Sequence, residues 1–220
     1  MTFFCINTVL ESTKIQDRIV LVLPETHDYR RASIVHTCTG ENFLEIGCDF
    51  GCTVDRVQNA LLQEYKDEKS LNTKDNEIVI QSSMKKRVAL GIDKSQESIS
   101  IAQDRYPHCL FSLEDALTKE GSAQIRSLCQ THLENKYPSV VSIDINGNRE
   151  LPAVLECIER IMCPDFDNDD NVEDKQIDEM TESQFTYNGV KWDLPRLIVV
   201  KSRTLHELLV SREKDGYPLS

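Results

Sequence analysis

The segment LEIGCDFGCT gathers the residue types that most readily do chemistry. Glu45, Gly47 and Gly51, spaced E-x-G-x-x-x-G, follow an apolar run and precede a helical pattern. Glycines at such a turn let the backbone fold tightly and approach a ligand closely, and the following helix start offers free N–H donors and positive potential. The spacing is neither G-x-G-x-x-G nor that of a phosphate loop ending in Gly-Lys-Ser/Thr, so a pyrophosphate site is disfavoured. Downstream, Gly91-Ile92-Asp93 closes a second apolar run on a carboxylate. A carboxylate there can accept hydrogen bonds from ribose hydroxyls; the competing reading makes Asp93 a capping acid beside Ser95.

Other reactive groups lack a comparable setting. The eight cysteines form no C-x-x-C pair and read as reduced, partly buried thiols of an intracellular protein. The five histidines show no metal-ligand spacing, and no metal is expected. Residues 164–183 hold nine acids and one base, which accounts for −8 of the net charge of −12 and leaves −4 elsewhere. Alternating Asp165, Asp167 and Asp169 suggest a calcium loop. However, counting from Asp165 places Asp170 at the glycine position and Gln176 at the final acid, and counting from Asp167 places Val172 and Asp178 there. The block therefore reads as a solvated, disordered insertion over 164–186.

These residues need a scaffold, and the chain supplies an alternating one. Apolar runs at 43–47, 87–93, 109–112, 139–145 and 196–201 read as strands, each followed by helical periodicity. Val54, Val57, Leu61 and Tyr65 mark the first such helix, and residues 151–162 carry the clearest stripe. Five strand–helix rounds imply a doubly wound, mostly parallel α/β sheet with helices on both faces. Its ligand site lies beyond the carboxyl ends of the strands. Residues 66–86 form a polar insertion with a short apolar stretch, Ile78-Val79-Ile80. Two parts are expected: a β-rich segment with a short helix over 1–39, and the α/β domain over 40–220. Within the first, residues 2–10 and 18–23 read as a β-hairpin and 28–37 as the helix.

With these motifs in order, residues 40–210 resemble the class I, Rossmann-like S-adenosylmethionine-dependent methyltransferases. LEIGCDFGCT resembles that family's first motif, which implies Glu45, Gly47 and Gly51 at the cofactor with Cys48 and Phe50 lining it. GIDKS resembles the second, which implies cofactor contacts for Asp93 and Lys94. SLEDAL stands where the adenine-side acid belongs, making Asp115 the candidate and Glu114 its competitor. SIDINGN resembles the fourth motif, which implies that Asp144 and Asn146 face the transferred methyl group and its acceptor. The family's sheet usually ends in an antiparallel hairpin after the fifth helix, for which residues after Leu209 leave little room. The N-terminal hairpin is expected to cover that edge instead.

The acceptor side is less complete. SIDINGN also resembles catechol-type O-methyltransferases, but Lys201-Ser202 stands where those enzymes carry a metal-binding Asp-Asn pair, so no metal dependence is predicted. Asp144 with Lys201 resembles part of the catalytic set of RNA ribose 2′-O-methyltransferases. Arg30 and Arg31 occupy the place of that set's first lysine, and Glu207 follows Lys201 too closely to match its last member. The bland alternative for Lys201 is an ion pair with Asp144. Tyr187 and Trp192 read either as a cover for the acceptor pocket or as core.

The resulting expectation is an S-adenosylmethionine-dependent methyltransferase. Its acceptor is a small molecule, RNA or protein, with O-methylation of the first two preferred. The alternative is a non-catalytic methyltransferase-like binding module. No run approaches the ~20 apolar residues of a membrane-spanning helix, and MTFFCINTVLESTK lacks a signal peptide's basic head. A cytoplasmic or nuclear location, no membrane partner and no DNA partner are expected accordingly.

Overall fold

Phe43–Ile46 (FLEI) and Val140–Ile143 (VVSI) are buried at every position, which a strand achieves only when helices cover both faces of its sheet. In the computed structural model the described residues are 4–5, 9–10, 13–14, 19–37, 41–72, 88–133, 137–145, 151–162, 184–187 and 190–214. In chain order the elements are β1 (Phe4–Cys5), β2 (Val9–Leu10), β3 (Thr13–Lys14), β4 (Ile19–Leu23), α1 (Thr26–His36), β5 (Phe43–Ile46) and α2 (Cys52–Asn72). They continue with β6 (Ala89–Asp93), α3 (Gln96–Arg105), β7 (Leu110–Leu113), α4 (Lys119–His132), β8 (Val140–Ile143) and α5 (Leu151–Met162). The last are β9 (Gln184–Tyr187), β10 (Val190–Asp193), β11 (Leu197–Lys201) and α6 (Arg203–Lys214).

Seven strands form one sheet in the order β1-β4-β11-β8-β5-β6-β7, with β4 through β7 mutually parallel and β1 antiparallel at the edge. The chain moves outward from β5 to β6 and β7, then returns to the other side of β5 for β8 and β11. The junction of β5 and β8 is thus the switch point of a doubly wound, Rossmann-like sheet, where a crevice opens beyond the strand ends.

Alternate side chains along each strand feed two cores. Val20, Val22, Leu44, Ile46, Val141 and Ile143 pack with residues of α4, α5 and α6. Leu21, Leu23, Phe43, Val140 and Val199 pack with residues of α1, α2 and α3 on the opposite face. Truncating a fully buried member such as Leu44 to alanine would cost roughly 2–5 kcal/mol.

Three features refine the sequence reading. β4 lies in the sheet, pairing parallel with β11 in the register Leu197↔Ile19 to Lys201↔Leu23, while β1 closes the hairpin against it through Phe4↔Val20. The N-terminal hairpin therefore does cover that edge. Second, α2 runs on to Asn72, beyond the apolar stripe that ends near Tyr65, because KDEKSLN is rich in residues that favour helix without needing a core face. Third, β9 and β10 pair as a short antiparallel hairpin that the sequence pattern did not announce. Ile78-Val79-Ile80 and residues 164–183 fall outside the described residues. Among the described residues, no helix is long and apolar enough to cross a membrane.

Candidate functional site

The turn after β5 is shaped by contacts that only glycine permits at two points. Gly47 sits at φ +78°, and a Cβ there would lie 2.2 Å from the carbonyl oxygen of Asp144 at the end of β8. Gly51 shares that φ, but its missing Cβ would meet the ring of Phe111, 2.6 Å away. The N–H groups of Gly47 and Cys48 both donate to Ile92 O, at 2.9 and 3.0 Å, and Gly51 N–H donates to Cys48 O at 2.8 Å. The Gly47 and Cys48 amides are thereby engaged in holding β5 to β6, and the Gly51 amide closes the turn on itself.

Asp93 completes the turn from the next strand. Its Oδ2 accepts the Asp49 N–H at 3.0 Å and its Oδ1 accepts the Ser95 N–H at 2.8 Å. Ser95 in turn caps α3, its hydroxyl accepting the Ser98 N–H at 3.2 Å. Asp93 therefore organises the local turn, as the capping reading required, and still borders the crevice.

That crevice lies over the ends of four neighbouring strands. Its walls are Ile46 and Gly47 after β5, Asp93 and Lys94 after β6, Glu114 to Leu117 after β7, and Asp144 and Ile145 after β8. Its empty space is roughly 380 Å³ when the open solvent at its mouth is counted. A shallower groove continues from Lys94, Glu114 and Asp115 toward Thr118 and Gln124. Asp115 is fixed by its own turn, its Oδ1 accepting the Leu117 N–H at 3.1 Å and its carbonyl oxygen accepting both the N–H and the hydroxyl of Thr118. Glu114 is held somewhat above the usual carboxylate range by partial burial, with a hydrogen bond from Ser112 opposing the shift. Four carboxylates thus face one small space, with Lys94 the cation on its wall.

Beneath the floor of the crevice sits a buried acid. Glu45 is 2% exposed, and Tyr29 of α1 donates its hydroxyl to Oε1 at 2.9 Å. Glu45 Oε2 has no partner of normal hydrogen-bond geometry, although Thr53 lies near enough to favour the charged form weakly. Desolvation dominates and raises the carboxyl to about 8, against the opposing influence of Tyr29 and Thr53. Burial, then Glu45 and Asp144, push the Tyr29 hydroxyl well above its ordinary value. The Ser33 and Ser142 hydroxyls meet at 2.8 Å beside them, and Ser33 also donates to Tyr29 O. This polar seam fixes α1 to β5 and β8.

Lys201, at the end of β11, places Nζ 2.9 and 3.1 Å from the two oxygens of Asp144. The side chains are about one-fifth exposed, at 21% and 18%. The ion-pair reading of Lys201 therefore describes its contact correctly, and that contact is with the residue the family resemblance singled out.

Among the expected site residues, the fold gathers Gly47, Asp93, Lys94, Asp115 and Asp144 on one cleft, with Glu45 beneath and Lys201 behind Asp144. Cys48 and Phe50 are not on its lining. Cys48 turns into the core beside Val54, and its thiol is raised by burial. Phe50 projects outward, with the Arg105 guanidinium 5.3 Å from its ring centre. Asn146 and the side chains of Tyr187 and Trp192 lie outside the described residues. Tyr29 and the Ser33–Ser142 pair were not foreseen, because α1 offers no motif and its polar face meets the sheet only through the fold. Neither a scan against protein-family models nor a search of curated proteins gives a match for this chain.

Proposed function

We propose that the chain is an S-adenosylmethionine-dependent methyltransferase, and the acid-lined cleft above a glycine turn with engaged amides carries this reading. A pyrophosphate would need free loop N–H groups and cationic walls. Here it would meet Asp93, Glu114, Asp115 and Asp144, and each like-charge contact near 4 Å would cost roughly 1–4 kcal/mol. A nucleoside bearing a sulfonium cation suits the same walls. Asp93 is assigned to the ribose hydroxyls, Asp115 with Glu114 to the adenine side, and Gly47 and Lys94 to the floor and rim. Neutral Glu45, held by Tyr29, shapes the turn from below. Cys48 and Phe50 support the loop from its far side.

The cofactor would supply an activated methyl group, so the protein's task is alignment of the acceptor and management of its proton. Asp144 stands at the cleft wall with its carboxylate steadied by Lys201. In the proposed mechanism Asp144 orients the acceptor hydroxyl and accepts its proton. Lys201 stabilises the developing oxyanion, and Asn146 is assigned to the acceptor side. The acceptor is a small molecule, RNA or protein of the cytoplasm or nucleus, with O-methylation preferred for the first two.

The closed Lys201–Asp144 pair favours one second reading, a methyltransferase-like binding module in which the pair is structural. Calorimetric titration with S-adenosylmethionine, with NAD as comparison, tests the first part of the proposal. Binding of the former alone is expected; no binding at millimolar S-adenosylmethionine would favour the module. A tritiated-methyl transfer screen over metabolite, RNA and protein fractions then separates them. Asp144→Ala should bind the cofactor and transfer nothing, and undiminished transfer would eliminate the role given to Asp144.

A further inference from the structure

Away from the cleft, the fold brings together three metal-ligating side chains that no motif connects. The ligand atoms of Asp55, His108 and Cys109 all lie within 4.8 Å of one another. Asp55 belongs to the first turn of α2, and the other two lie between α3 and β7. His108 and Cys109 are held as neighbours by the turn Tyr106-Pro107-His108-Cys109, closed by the Cys109 N–H donating to Tyr106 O at 2.9 Å. Proline at the second position presets that turn.

The cluster is oriented as well as gathered. Asn59 donates to Asp55 Oδ1 at 2.9 Å, which leaves Oδ2 free of that bond. His108 Nε2 approaches Asp55 Oδ1 to 3.1 Å. The Tyr106 ring stands edge-on to His108, with centroids 6.5 Å apart and planes at 87°. Exposure grades from His108 (44%) through Asp55 (18%) to Cys109 (8%), so an ion can enter from solvent and meet a thiol at the base. None of the three lines the cleft.

We propose that Asp55, His108 and Cys109 form a site for a borderline-soft divalent cation of the zinc type, with its fourth position open to water. Metal–ligand bonds of about 2.0–2.3 Å in tetrahedral geometry place ligand atoms roughly 3.3–3.6 Å apart. The 3.1 Å pair needs to open by only a few tenths of an ångström, and the outer limit of 4.8 Å needs a contraction of little more than 1 Å. A carboxylate, an imidazole and a thiolate together select such an ion over magnesium or calcium, which prefer all-oxygen shells. The ion would clip the start of α2 to the entry of β7, next to the Gly51–Phe111 contact that backs the glycine turn.

The full chain, treated with chelator and kept reduced, is titrated with Co²⁺ and then with Zn²⁺. One equivalent of Co²⁺ should give the charge-transfer absorption of a thiolate–cobalt bond, and Zn²⁺ should abolish it. Cys109→Ser should remove the band, whereas Cys52→Ser should leave it. His108→Ala, on an exposed side chain, and the isosteric Asp55→Asn should each weaken Zn²⁺ binding by at least about tenfold. Absence of the band, its survival in Cys109→Ser, or an unchanged Zn²⁺ affinity in folded His108→Ala and Asp55→Asn would overturn the site and leave Asp55–His108 as a surface ion pair. These readouts do not depend on S-adenosylmethionine, so the site stands or falls separately from the proposed activity.

Discussion

Gly47→Ala and Gly51→Ala make a matched pair, because both glycines hold φ +78° and differ only in what a methyl group would strike. Forcing alanine into that left-handed region costs roughly 1–2 kcal/mol at either position. At Gly51 the added carbon meets the outer atoms of the Phe111 ring at 2.6 and 2.8 Å, and a ring can swing aside. At Gly47 it meets backbone instead, 2.2 Å from Asp144 O and 2.7 Å from Asp144 C. That carbonyl belongs to the end of β8, whose residues pair with both β5 and β11, so relief requires moving a central strand. An overpacking penalty of about 1–3 kcal/mol adds to the backbone term. The expected losses are thus about 2–5 kcal/mol for Gly47→Ala and about 1–2 kcal/mol for Gly51→Ala, whose clash a ring rotation relieves. Urea unfolding followed by circular dichroism measures both, with the m-value checking that the denatured state is unchanged. Gly47→Ala should also displace Asp144 and weaken ligand binding at the cleft more than Gly51→Ala does. Equal losses in the two variants would refute the reasoning.

Glu45 gives a pH prediction. Its folded carboxyl lies near 8, well above the unfolded value of about 4.5, so its contribution to stability is fully present below the unfolded value and is lost as pH rises toward 8. Glu45→Gln should flatten that decline and be more stable than wild type at pH 8, as read by thermal unfolding across the range. Asp93→Asn can accept only one of the two N–H groups that the carboxylate now holds, from Asp49 and Ser95. A destabilisation of roughly 1.5–3 kcal/mol should follow, together with weaker calorimetric binding of the proposed cofactor. For Asp144 and Lys201, a double-mutant cycle with alanine in chemical unfolding should show a coupling of about 1–3 kcal/mol; independence of the two losses would mean that the 2.9 Å contact carries no net energy.

The legible part of this molecule was the part written locally. Val140–Ile143 and Leu197–Lys201 are apolar runs apart from Ser142 and Lys201, and Val154, Cys157 and Ile161 fall on one side of a helix, so strand and helix identities followed from local pattern alone. Gly47 and Asp93 were legible as neighbours on one cleft because each ends a strand, and strand ends in such a sheet converge. What escaped was whatever depends on side-chain direction or distant partners. Cys48 and Phe50 are within four residues of Gly47, yet the turn aims one into the core and the other toward Arg105. Tyr29 reaches Glu45, and Asp55 reaches His108 and Cys109, only across elements, which spacing in a single sequence cannot register.

The placement of β4 has a consequence for how the chain comes to be folded. β4 is synthesised before every other parallel strand, and its principal neighbour β11 after all of them. Until β11 emerges, the apolar strand of Val20, Leu21 and Val22 has no parallel sheet to join, and the partly made sheet ends at β8 with a bare edge. Pairing across nearly the whole domain is slow, because loop closure precedes any stabilising contact. An incomplete chain would thus present two sticky edges at once, each able to pair with another molecule. The last strand made is the one that closes both.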